Sequence, residues 1–292
     1  MLSMCGVWIA PAVLALATFF GHDCSLLGDI VVFPRYAVPV EPVYAPIVAF
    51  AKTLFAVEGL KFTVTGTDHI PKTGGAVIAV NHTGYLDFAY AGKAVLPAKR
   101  YIRYMAKHEV FEHKISGPLM RGCKHIPVDR VSGGGAYQAA VDSLKSGELV
   151  GVYPEATISR SFEIKEFKSG AARMAIEAGV PIIPIIVWGA QRVWTKGFPK
   201  RLGRTNTPIS VAVGTPVQPF EPAADLTAKL RADMQQLLLE VQDNYGPHPA
   251  GEFWVPKRLG GSAPSLEEAT ELDRQDAEAR IAARRAREQA DK

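Results

Sequence analysis

Short apolar runs alternate along the chain with longer stretches in which apolar residues recur at helical spacing. The run at residues 76–80 has no polar position, which is typical of a strand buried on both faces of a parallel sheet. Strands are predicted at residues 62–65, 76–80, 101–106, 126–128, 149–153, 180–187 and 209–213, and the main helices at 43–60, 136–146, 169–178 and 225–244. This alternation predicts an α/β fold with a mixed, largely parallel central sheet flanked by helices.

The two ends of the chain differ in composition from the middle. Residues 1–40 form an apolar extension without a charge between Leu2 and Phe20, near the roughly 20 residues that span a bilayer. A membrane anchor, a hairpin in one leaflet and a poorly ordered extension all fit this composition. Residues 260–292 are charged and lack aromatic residues, so we expect a disordered or helical tail without chemistry. Residues 41–259 remain as one domain.

Two apolar segments inside that domain leave alternatives open. The helix predicted at residues 43–60 is too short to span a membrane, and it fits either the membrane interface or the protein core. The strand at residues 180–187 contains Pro181 and Pro184, which predict an edge position or a bulge because proline cannot donate a ladder hydrogen bond.

Charge and cysteine content exclude several classes of protein. The 292 residues carry a formal net charge of +4, too mild to indicate nucleic acid but compatible with an anionic membrane or a phosphorylated substrate. The three cysteines are scattered, so neither a disulfide framework nor a structural zinc site is expected. A reduced environment facing the cytosol fits this pattern best.

Ionisable residues follow four of the predicted strands. They are His82, Lys107, Arg130 and Glu155. Because ligands collect at the carboxyl ends of parallel strands, we expect these side chains to share one edge of the sheet.

His82 and Asp87 lie five residues apart, which would place them roughly 140° apart on a single helix. They can meet only if His82 lies in the turn after the strand and Asp87 in the first turns of the next helix. A carboxylate would then orient one ring nitrogen and leave the other for a substrate, although a polar turn with a capping aspartate also fits. No GxSxG pattern supplies a nucleophile, so a general base would act on a substrate hydroxyl.

Basic residues near these strand ends suit phosphate oxygens. We expect Lys107, Arg130 and Arg160 to bind a phosphate on the substrate. Arg130 pairing with Asp129, and Lys107 as an ordinary surface charge, are the alternatives.

Four segments together resemble the 1-acylglycerol-3-phosphate acyltransferases, the glycerolipid acyltransferases with an HxxxxD motif. The first block corresponds to residues 81–87, with Asn81 preceding the histidine. The second corresponds to residues 126–130, whose arginine is associated in the family with the phosphate of the acyl acceptor. The third, usually FPEGTRS, corresponds to residues 153–159, and the fourth to residues 180–184. The resemblance extends from about residue 41 to residue 259.

The resemblance implies transfer of a fatty acyl group from acyl-CoA or acyl carrier protein to lysophosphatidate, giving phosphatidate in phospholipid biosynthesis. His82 and Asp87 would be catalytic, and backbone N–H groups after His82 would stabilise the oxyanion. Lys107, Arg130, Glu155, Thr157 and Arg160 would bind substrate. No metal or bound cofactor is implied, and the expected location is the cytoplasmic face of the plasma membrane.

The third block departs from the family pattern. Ala156 stands where glycine is usual, and Ile158 stands where an arginine is expected, so Arg160 is the candidate replacement. This departure leaves other acceptors open: glycerol 3-phosphate, another lysophospholipid or a glycolipid. A lipid-binding protein without catalysis and a hydrolase using water activated by His82 are the remaining alternatives.

Overall fold

The computed structural model describes residues 41–128 and 134–290. The chain divides into two units, residues 1–38 and 39–292, and the described residues lie in the second. The predicted membrane segment in residues 1–40 and the candidate phosphate ligand Arg130 therefore lie outside the described residues.

The described part of the chain contains seven strands, eight α-helices and four short 3₁₀ helices. The strands are β1 Lys61–Thr65, β2 Ala76–Val80, β3 Ile102–Lys107, β4 Ile126–Val128, β5 Leu149–Val152, β6 Ile182–Trp188 and β7 Pro208–Val213. The helices are α1 Tyr44–Val57, α2 Asp87–Val95, α3 His108–Glu112, α4 Ser116–Gly122, α5 Gly134–Lys145, α6 Gly170–Ala178, α7 Ala223–Tyr245 and α8 Leu266–Ala290.

The strands form one mixed sheet in the order β1-β7-β6-β2-β5-β3-β4. Strands β6, β2, β5, β3 and β4 pair in parallel, whereas β7 pairs antiparallel with β6 and parallel with β1. The predicted α/β class with a largely parallel sheet is confirmed. The carboxyl ends of β2, β5 and β3 meet at one edge, where the candidate site lies.

Helices cover both faces of the sheet. Along β2, Val77 and Ala79 face a core packed by α5, α6 and α7, while Ala76, Ile78 and Val80 face a second core with α1 and α2. All five residues are fully buried. The apolar run of this strand therefore reflects burial on two faces, as predicted.

Strand β6 lies inside the sheet, and its residues 182–185 pair one to one with β2, so both the edge position and the bulge that the prolines predicted are wrong. Pro184 lies opposite Ala79 of β2, and its carbonyl accepts a 2.9 Å hydrogen bond from the Gly214 N–H. Proline removes one donor but keeps its acceptor, and the remaining β6 residues pair with β2 and β7. One missing ladder bond is thus tolerated at an interior position.

Helix α1 is attached to the domain at its start and leaves an apolar stripe in solvent. Glu41, just before the helix, accepts a 2.6 Å hydrogen bond from the buried Arg103 of β3. Phe50, Leu54 and Val57 lie at i, i+4 and i+7 and are exposed, whereas Phe55 is buried. Among the described residues, no helix is long and apolar enough to cross a membrane.

Residues 266–290, in the charged C-terminal segment, form a continuous helix. Among its described side chains only Ala269 is buried. A few polar side chains of this helix contact the candidate site.

Candidate active site

The loop after β2 is fixed at its start by Asn81. The Asn81 side chain accepts a hydrogen bond from the Val187 N–H (2.7 Å) and donates one to the Val187 carbonyl (3.0 Å). This amide thereby continues the pairing of β2 with β6 beyond the last strand residue. The asparagine before the histidine thus sets where His82 leaves the sheet.

His82 and Asp87 meet as the turn-and-helix geometry requires. Asp87 is the first residue of α2, and its Oδ2 lies 3.1 Å from His82 Nδ1. The same oxygen accepts hydrogen bonds from the N–H groups of Thr83 (2.7 Å) and Gly84 (2.8 Å). Complete burial raises the pKa of the Asp87 carboxyl, and these three hydrogen bonds oppose that rise. The ring's Nε2 is left for a reacting group.

The Glu155 carboxylate, after β5, joins two segments of the site. Its Oε1 accepts a 2.9 Å hydrogen bond from the His82 N–H, and its Oε2 accepts one of 3.2 Å from the Lys165 N–H. Burial raises the pKa of Glu155 to about 7, although these backbone donors favour the ionised form. This carboxylate positions the His82 backbone. Direct contact of Glu155 with substrate stays a prediction.

The His82 ring packs flat against an aromatic neighbour. Its centroid lies 4.0 Å from that of Tyr153, with the two planes 19° apart. Together with the Asp87 contact, this stacking restricts the rotation of the imidazole, whose side chain remains 19% exposed. A restrained but accessible imidazole suits a general base.

The backbone N–H groups directly after His82 are already engaged. Those of Thr83 and Gly84 donate to Asp87, and that of Tyr85 donates to the Trp194 carbonyl (3.0 Å). The expectation that N–H groups next to His82 stabilise an oxyanion is therefore wrong for these three. Their role is to hold the loop, because each one fixes it to α2 or to the segment after β6.

The backbone conformation at Ala156 explains why glycine is usual at this position of the third block. Ala156 has a φ of 62°, in the left-handed region where a Cβ atom costs roughly 1–2 kcal/mol. The chain thus keeps the turn that glycine favours and carries the strain of an alanine there.

Thr157 and Arg160, both predicted to bind substrate, contact helix α8. Arg160 Nη2 donates a 2.6 Å hydrogen bond to Asp276. Thr157 Oγ1 accepts a 2.5 Å hydrogen bond from Lys165 Nζ and donates one of 3.4 Å to Asp273. Both residues lie in the loop after β5, and substrate binding by them stays a prediction.

Two lysines and two aspartates near Thr157 and Arg160 were not predicted from the sequence. Lys196 Nζ lies 3.0 Å from Asp273 and 2.6 Å from Asp276, and Lys165 Nζ lies 3.0 Å from Asp273. Neither lysine belongs to a block that carried the resemblance. The one available signal was the i, i+3 spacing of the aspartates, which puts both on one side of a helix.

Lys107 ends β3, beside β5, so it lies at the same edge of the sheet as His82 and Glu155. Its side chain is exposed. The topology agrees with the expected clustering of strand ends, while phosphate binding by Lys107 stays a prediction.

Comparison with known proteins identifies the class of this domain. Residues 61–188, which contain the His82–Asp87 pair and Glu155, match the family model described as Acyltransferase. The crystal structure of the 1-acyl-sn-glycerophosphate (LPA) acyltransferase PlsC from Thermotoga maritima has the same fold. Its TM-score is 0.58 at 21% identity, over 70% of this chain and 81% of that one. Residues 61–188 are thus similar to the acyltransferase family.

The chain also resembles enzymes named 1-acyl-sn-glycerol-3-phosphate acyltransferase. The Bacillus subtilis protein is 34% identical over 127 residues, 43% of this chain and 62% of that protein. The Borreliella burgdorferi protein is 27% identical over 148 residues, 48% of this chain and 56% of that protein. The chain therefore spans less than two thirds of the length of these relatives. The resemblance seen in the four sequence blocks is confirmed.

Proposed function

We propose that this protein transfers a fatty acyl group from acyl-CoA or acyl carrier protein to the free hydroxyl of lysophosphatidate, giving phosphatidate. The observation that carries the proposal is the 3.1 Å contact between His82 Nδ1 and the buried Asp87 carboxylate. The names of the similar bacterial enzymes support lysophosphatidate as the acceptor.

In the part of the chain that the structure describes, the site offers a general base but no nucleophilic side chain, so the acceptor hydroxyl itself attacks the thioester. His82 Nε2 takes the proton of the acceptor hydroxyl as its oxygen attacks the thioester carbonyl carbon. Asp87 stabilises the imidazolium that forms and keeps Nδ1 protonated. The tetrahedral intermediate collapses with loss of the thiolate, which takes the proton from His82. An ester and a free thiol result, and no bound cofactor takes part.

Recognition of the acceptor requires cations near His82. Ser159 donates its N–H to the His82 carbonyl (2.7 Å), so the adjacent Arg160 is tied to the catalytic loop. We assign the acceptor phosphate to Arg160, with Lys107 and Arg130 as further ligands from neighbouring strand ends.

We also propose that the domain works at the cytoplasmic face of the plasma membrane, with α1 in the lipid interface. Three exposed apolar side chains form one stripe of this helix: Phe50, Leu54 and Val57. Such a stripe favours contact with a lipid surface over packing in the core. Ile115 and Leu119 of the α4 region are also exposed. Val43, next to α1, packs against Gly122 at the end of α4, so the two helices are neighbours.

The test is acyl transfer by the purified full chain with lysophosphatidate and a series of acyl-CoA thioesters. We expect His82→Ala to abolish phosphatidate formation while its urea unfolding midpoint stays near that of the wild type. His113→Ala, a histidine outside the site, is the control and should keep full activity. Turnover near the wild-type level in His82→Ala would refute the catalytic assignment. Fatty acid release that added acceptor does not suppress would indicate a hydrolase.

A further inference from the structure

Helix α8 places two carboxylates among three cations at the margin of the candidate active site. Lys196 and Arg160 each contact both Asp273 and Asp276, and Lys165 contacts Asp273. Hydrogen bonds from Lys196 and Arg160 lower the pKa of Asp276 to about 2, so both aspartates remain anionic at neutral pH. Two carboxylates carry about the charge of one phosphate monoester, roughly −1.5 to −2.

Each of these cations is tied to the loop that carries His82. Lys165 donates its N–H to Glu155, which also accepts the His82 N–H. Lys196 follows Thr195, whose hydroxyl donates a 2.7 Å hydrogen bond to the Thr83 carbonyl. With Arg160 next to Ser159, the loop after β5 and the segment after β6 bring three positive charges together next to the loop that carries His82. A hydroxyl on a lipid whose phosphate occupied this place would lie near the catalytic loop.

Helix α8 is attached to Arg160, Lys165 and Lys196 mainly by ion pairs. Its inward stripe consists of Leu266, Ala269, Asp273 and Asp276, and only Ala269, a single methyl group, is fully buried. Asp273 and Asp276 are 20% and 38% exposed, so their ion pairs are partly screened by water. An anion that forms better hydrogen bonds with the three cations can therefore displace the helix.

We propose that Arg160, Lys165 and Lys196 form a phosphate-binding site that Asp273 and Asp276 occupy until a phosphate-bearing substrate displaces α8. This inference rests on the proposed function, because it assigns the acyl transfer a phosphorylated substrate. The assignment of Arg160 to the acceptor phosphate makes the acceptor lipid the first candidate, and the ribose phosphate of CoA, also a monoester, is the second, so the test separates the two. In the free protein, α8 competes with the substrate and raises its apparent KM.

Hydrogen–deuterium exchange of α8 in the full-length wild-type protein tests displacement without any turnover. The probes are glycerol 3-phosphate against glycerol, and CoA against dephospho-CoA, at equal ionic strength set with sodium chloride. Faster exchange in residues 269–276 with glycerol 3-phosphate alone assigns the site to the acceptor, and faster exchange with CoA alone assigns it to the donor. Unchanged exchange with every phosphate probe overturns the proposal, whether or not the protein transfers acyl groups.

The kinetic test removes the competing carboxylates. In Asp273→Asn/Asp276→Asn, we expect the KM for the phosphate-bearing substrate to fall about 3- to 10-fold, with kcat little changed. Glu271→Gln/Glu278→Gln is the matched control, because it removes the same charge from the solvent side of the same helix. That control should keep the wild-type KM. An unchanged or higher KM in the double Asn variant would show that the cations only anchor α8.

Discussion

Glu155 and His82 are joined by a hydrogen bond from the histidine backbone N–H to the buried carboxylate, 2.9 Å long. The segment that resembles the third block thus holds the segment that resembles the first block by its main chain, independently of the imidazole ring. This contact joins the ends of β2 and β5, and the Lys165 N–H on the other oxygen attaches a later part of the loop after β5 to the same carboxylate.

Burial of Glu155 makes stability depend on pH. Its pKa is about 7 in the folded protein against 4.5 in the unfolded chain, so the folded state binds more protons between these values. The contribution of this group to the free energy of unfolding is therefore greatest below pH 4.5 and falls as pH rises to about 7, by up to roughly 3 kcal/mol.

Urea unfolding from pH 4.5 to 8 measures this effect in the wild type and in Glu155→Gln. We expect the variant to be less stable at every pH, because the amide nitrogen faces a backbone donor, and to have a flatter pH dependence. Glu252→Gln, an exposed position, should keep the wild-type slope. Parallel curves for wild type and Glu155→Gln would contradict the shifted pKa.

Asp87→Asn tests the role of the carboxylate while keeping the shape of the side chain. The amide cannot stabilise an imidazolium, so we expect kcat to fall on the order of 10²–10⁴-fold with little change in KM. Steady-state acyl transfer checks this, with the exposed Asp68→Asn as the control. A fall of less than about threefold would mean that the base works without its carboxylate.

Ala156→Gly should stabilise the protein. Glycine relieves the left-handed strain at φ 62° but adds freedom to the unfolded chain, so we expect a gain of up to about 1 kcal/mol. Ala228→Gly, at an exposed position in the second turn of α7, is the control and should instead destabilise the protein by about 0.5–1 kcal/mol. Chemical unfolding of both variants measures the difference, and destabilisation by Ala156→Gly would exclude strain at this turn.

Phe50→Glu/Val57→Glu tests the lipid-facing stripe of α1. Two carboxylates there should reduce binding of the full chain to phospholipid vesicles by about tenfold or more. Vesicle sedimentation measures this, with Leu239→Glu on α7, at the other face of the sheet, as the control. Equal sedimentation of wild type and double variant would place membrane attachment elsewhere in the chain.

The strands and the His82–Asp87 pair were predictable because both depend on local spacing. A five-residue apolar run defines β2, and a five-residue interval admits the pair only across a strand-to-helix turn. The interior position of β6 was not predictable in this way. Pro184 lacks an N–H donor in any strand, and the sequence does not show that the neighbouring strands tolerate this missing hydrogen bond. The contacts of Lys165 and Lys196 with Asp273 also escaped prediction, because they join residues up to 108 positions apart without a periodic pattern.

The hydrogen bonds between Asn81 and Val187 also bear on how the protein folds. They join residues 106 positions apart in the sequence, so the Asn81 side chain has no partner until β6 has been synthesised. Closing a loop of that length costs entropy before any strand pairing repays it, and such distant contacts slow folding. His82 therefore reaches its native position only after β6 has joined β2, and we expect the proposed acyl transfer activity to be a late reporter of refolding.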